Sequence, residues 1–132
     1  MNLRADVAIL ACAISAGVHG ALAPTHFDEG VAPGIAFVVS TVLLAGFALW
    51  LTLRPVGELP AAAAALVFAG LLGSYVLATT TGVPFLHPEP EPVDGLALAT
   101  KAFEAVGLVT ALSLLRRRPL SITLIQPKGT LT

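Results

Sequence analysis

The chain has 132 residues, 56% of them hydrophobic and only 11% charged, whereas an ordinary soluble domain is about one quarter charged. That deficit excludes the usual soluble classes and points to a chain that lives in lipid. The net charge of −1 carries no message as a total; the lack of a basic or aromatic-basic platform excludes a nucleic-acid partner, and the lone Cys12 excludes an intrachain disulfide or a thiolate metal cluster.

Four apolar runs follow one another, at 5–23, 34–53, 60–81 and 95–115. Each matches the roughly 20 residues that a helix needs to cross about 30 Å of hydrocarbon. The first could be mistaken for a signal peptide because Arg4 precedes it and "ALA" closes it. Pro24 directly after that point disfavours cleavage, so it is read as a span. "APTHFDEGVAPG" then breaks the chain, and the second span runs to "RPVGELP". Pro60 opens the third at a position where a first-turn proline is tolerated. "GVPFLHPEPEPVDG" separates the third from the fourth.

Short connections make consecutive helices antiparallel neighbours. The expected fold is therefore all-α: a four-transmembrane-helix, up-down-up-down bundle in residues 1–118, with a tail at 119–132. Small residues at four-residue spacing, Ala13, Gly17 and Ala21 on span one and Ala65, Ala69 and Gly73 on span three, permit close helix approach. Packing within the bundle is the expected use, and a seam between copies is the alternative.

In that arrangement Arg4, Arg54, Arg116, Arg117, Arg118 and Lys128 all fall on one side, which the positive-inside rule makes cytoplasmic, together with the N and C termini. Loops one and three then face outward and carry acids but no lysine or arginine. Such asymmetry argues against dual-topology insertion of the kind that small antiparallel-dimer exporters use.

His19, Lys101 and Glu104 are ionisable side chains placed well inside the spans. Counting along the helices puts His19 roughly 6 Å, Lys101 roughly 9 Å and Glu104 roughly 13 Å below the outer boundary. Tyr75, Ser74, Ser40, Thr41 and Ser15 share this outer half, and the inner half holds little that is polar. Ionisable groups at such depth face a bundle interior or a wet cavity. The expected ligand- or proton-binding residues are therefore His19, Lys101 and Glu104, with Tyr75 as a lining hydroxyl. Lys101 and Glu104 share a helix face, but Lys before Glu is the weaker order for a pair. Glu104 is thus expected to meet His19 across the bundle while Lys101 extends toward the outer interface. A purely structural use, fixing helix register, competes with the functional one.

The outward loops raise a second possibility, a divalent zinc or copper ion held by His26, His87, Asp28 and Glu89. "HPEPEP" favours polyproline II, which spreads His87, Glu89 and Glu91 around its axis, so such a site needs both loops to converge. No His-Glu-x-x-His helix, glycine-rich phosphate loop or serine nucleophile elbow gives positive evidence of an enzyme. The tail "RRRPLSITLIQPKGTLT" reads as a basic anchor followed by a run too short for a fifth span, a flexible end or a docking strand.

"SAGVH" at the end of span one, "GVPFLHPEPEP" between spans three and four and "KAFEAVGL" inside span four resemble the small, uncharacterised four-helix membrane proteins common in high-GC bacteria. The resemblance implies a span-one His, a loop acid and a span-four Glu at His19, at Glu89 or Glu91, and at Glu104. It implies no activity. "HG" at 19–20 and "EAVGLVTAL" at 104–112 are also similar, more faintly, to the DoxX-like membrane proteins, whose acidic motif lies elsewhere.

The sequence thus leads to a multi-pass protein of the cell membrane with an outward-facing polar cavity that binds or passes a small ligand, proton or cation. The alternative is an accessory subunit, or a homo-oligomer, that stabilises a larger membrane complex. An outer-face metal binder is the weaker third reading.

Overall fold

The structure, a computed structural model, describes residues 2–55, 57–86 and 88–116. The tail expected at 119–132 and the metal candidate His87 lie outside the described residues. Within them the chain is all-helical: α1 Leu3–Glu29, α2 Val31–Leu53, α3 Glu58–Thr80 and α4 Gly95–Leu115, without strands. All four helices are long and apolar enough to cross a membrane.

Local chemistry sets most of the helix ends. Asp94 caps α4, its Oδ1 accepting from Ala97 N at 2.8 Å, which satisfies one of the orphan N–H groups of the first turn. Pro60 and Pro33 each sit third in their helices, where the missing N–H costs no helical bond. Gly57 N donates to Arg54 O at 3.0 Å to turn the chain between α2 and α3.

The first loop differs from expectation. α1 runs on through Pro24 to Glu29, and Gly30 alone separates it from α2. Tertiary contacts hold this extra turn: the His26 ring stacks on Phe37 at 3.6 Å between centroids, and Phe27 covers Gly34 so closely that a Cβ there would clash. Side-chain packing across the α1–α2 corner outweighs the breaking tendency of one proline, which removes a single backbone bond.

The helices form a ring in which α1 touches α2 and α4, and α3 touches α4, while α2 and α3 share the thinnest seam. Arg4 Nη1 donates to Ser113 O at 3.3 Å near the start of α1 and the end of α4. At the same end lies a dry core of Ala8, Cys12, Leu44, Leu51, Ala64 and Phe68, all buried. Phe68 is fully buried against Gly107, where an added Cβ would come within 2.5 Å of its ring and 3.0 Å of the Ala11 Cβ.

The small-residue stripes do not pack as expected. Ala13, Gly17 and Ala21 are exposed, as are Ala69 and Gly73, leaving Ala65 as the buried member of the α3 set. The face of α1 that turns inward is Ala5, Ala8, Cys12, Ser15, His19 and Ala23. Both faces of α1 are small enough to pack. The one that carries Ser15 and His19 goes inside because hydroxyl and imidazole are costly against lipid.

Candidate functional site

The polar residues gather at the end of the bundle opposite the dry core. Glu104 is completely buried and receives one donor on each oxygen. Lys101 Nζ lies 2.7 Å from Oε2, and Ser15 Oγ donates to Oε1 at 2.8 Å. One carboxylate with two charge-assisted partners meets the requirement for a buried ion.

His19 completes the cluster. Its Nδ1 stands 2.9 Å from Ser15 O, and because a carbonyl only accepts, Nδ1 carries a hydrogen. That assignment leaves Nε2 as the ring's other polar atom, 4.0 Å from Glu104 Oε1, too far for a hydrogen bond. His19 therefore stands at ion-pair distance from the carboxylate, as expected from the sequence, without a direct hydrogen bond to it.

The structure brings together the three ionisable groups expected from the sequence, with one correction. Lys101 does not extend to the outer interface: its ammonium turns to Glu104, and also sits 5.5 Å from the centre of the Tyr75 ring. The unfavourable Lys-before-Glu order is a weak preference of exposed helices, a few tenths of a kcal/mol, and it loses to the need of a buried carboxylate for a counter-charge. Ser15 is the member that sequence depth noted without ranking. Its spacing of four from His19, one helical turn on the same face, was the signal.

Above the cluster lies a cavity of about 380 Å³, within the range of small-molecule sites. His19, Tyr75, Thr100 and Lys101 line its deep end, and Glu29, Glu91 and Asp94 its mouth. Between them the wall is largely apolar, with Val18, Leu22, Phe37 and Leu71. Phe37 is in ring contact with both histidines, stacked on His26 and tilted at 5.1 Å from His19.

Most hydroxyls here are already spent. Ser40, Ser74 and Thr100 each donate to a carbonyl of their own helix, at 2.8, 3.0 and 2.8 Å. Tyr75 differs, since its hydroxyl is buried and has no hydrogen-bond partner among the described residues.

The metal expectation includes His87, which lies outside the described residues. His26 Nδ1 lies 2.6 Å from Glu29 Oε2, a partner one turn away on α1. Asp28 and Glu89 are exposed, and no three His, Cys, Asp or Glu among the described residues are placed to hold a metal ion. Helix α1 continues through residues 24–29, so His26 and Asp28 are set on a helical turn and not in a loop.

Comparison with protein-family models, with curated proteins and with solved structures returned no match. The functional reading therefore stands on geometry.

Proposed function

We propose that the chain is a multi-pass protein of the cell membrane whose four helices cross up-down-up-down, both termini cytoplasmic, and whose outward-facing cavity binds a small ligand. The observation that carries this reading is the cavity itself, about 380 Å³ with Lys101 and His19 at its deep end and Glu104 buried directly beneath. Binding is favoured over passage because the opposite half of the bundle is packed with alanine, leucine and Phe68 and, among the described residues, offers no polar route for a proton or cation.

Two cysteine variants in a Cys12→Ala background test the cavity and its sidedness together. Thr100→Cys, at the cavity's deep end, should react with a membrane-impermeant thiol reagent applied outside intact cells. Ala64→Cys, in the dry core, should not. Labelling of Thr100→Cys only after the cells are opened would overturn the orientation, and equal protection of both cysteines would overturn the cavity.

A second reading, a subunit or homo-oligomer, draws on the outward-facing stripe Ala13, Gly17 and Ala21, where nothing lies within 4 Å of a Cβ built on Gly17. Small residues facing out from a bundle suit a partner helix. If that reading holds, Gly17→Leu should shift the mass of the gently extracted protein to that of the lone chain, and an unchanged mass would sink it.

A further inference from the structure

The chemistry of the cavity restricts what it takes, and this inference rests on the binding reading above. A cationic ligand finds no net negative charge at the deep end, because Glu104 is fully buried and already paired with Lys101 at 2.7 Å. An anionic ligand would meet a mouth of Glu29, Glu91 and Asp94 and, below, a Lys101 charge already neutralised by Glu104 at 2.7 Å. Apolar walls give neither sign of charge any compensation for lost water.

What the deep end does offer is hydrogen bonding. The Tyr75 hydroxyl is a buried donor without a partner among the described residues. Lys101 has three N–H donors and spends one on Glu104. With Nδ1 donating to Ser15 O, Nε2 is the ring nitrogen left to a ligand, and the Tyr75 hydroxyl oxygen can accept as well as donate. Donors and an acceptor in one place fit a group that both accepts and donates, and an oxygen head group on an apolar body satisfies head and walls together.

We propose that the cavity binds an uncharged amphipathic molecule, its hydroxyl or carbonyl end at Tyr75, Lys101 and His19 and its apolar body along Phe37 and Leu71. Such a molecule dissolves in the bilayer, and the thin seam between α2 and α3, both of which line the cavity, gives it a way in from the side.

Three photoreactive probes of equal chain length test this, a diazirine-bearing long-chain alcohol, the matching carboxylate and the matching primary amine. Each is added to the full chain in phosphatidylcholine nanodiscs, and the labelled peptides are mapped by mass spectrometry. The alcohol is expected to label the cavity segments 18–22 and 71–78 several-fold more than either charged probe. In Tyr75→Phe, which removes one oxygen and leaves the ring, that labelling should fall about fivefold, the worth of roughly one hydrogen bond.

Equal or stronger cavity labelling by the amine or the carboxylate overturns the uncharged class while leaving a binding cavity in place. Labelling of Tyr75→Phe as strong as that of the unaltered chain overturns the placement of the head group. Failure of all three probes to label those segments above the outward-facing positions overturns the cavity as a binding site altogether.

Discussion

Glu104 has no access to solvent and leans on two partners, Lys101 and Ser15, drawn from α4 and α1. Removing one member of a buried charge pair costs far more than removing both, because the survivor keeps its desolvation penalty without its compensation. Lys101→Met should therefore destabilise the protein by about 3 to 5 kcal/mol, read as a lower midpoint of thermal unfolding in detergent. The double variant Lys101→Met with Glu104→Gln should regain most of that loss. A double variant no more stable than the single one would show that Lys101 acts by its packing alone. The same residues explain why the sequence revealed so much here: depth along a span is arithmetic, and ionisable groups at one depth in neighbouring helices have few places to go other than each other.

Among the elements, α4 depends on closeness to α3. Gly107 is buried where Phe68 presses on it, with room for no Cβ unless the ring moves. Gly107→Val should push the two helices apart and cost about 1 to 3 kcal/mol by overpacking, together with a loss of helix-bundle compactness measurable as faster proteolysis. Unchanged unfolding and unchanged proteolysis would mean that Phe68 swings aside freely. Helix rotation was the part that the sequence left open. On α1 two stripes of small residues compete for the inside, and spacing alone favours neither. Burial of Ser15 and His19 decides between them, which is a statement about solvation and not about shape. The end of α1 was hidden for a different reason: Pro24, Asp28 and Gly30 read as a loop, and contacts such as those of His26 and Phe27 with α2 hold the segment as helix.

At the scale of the whole molecule the bundle is divided along its length into a dry end and a polar end, and the division follows from where the sequence puts its few polar side chains. Arg4 beside Ser113 brings α1 and α4 level at the dry end. From that level α1 continues to Glu29 while α4 reaches back only to Gly95, so at the cavity end α1 overshoots by about 10 Å at 1.5 Å per residue. A helix of 27 residues is about 40 Å long, against a hydrocarbon core of about 30 Å. In the proposed membrane placement the overhanging corner of α1 and α2, with His26 and Glu29 on it, would stand like a parapet among the lipid head groups. On that placement bilayer thickness becomes a variable of this protein: a thicker membrane would draw the parapet toward hydrocarbon, at fractions of a kcal/mol per Å, and a thinner one would lift the cavity's mouth clear of the head groups and into water.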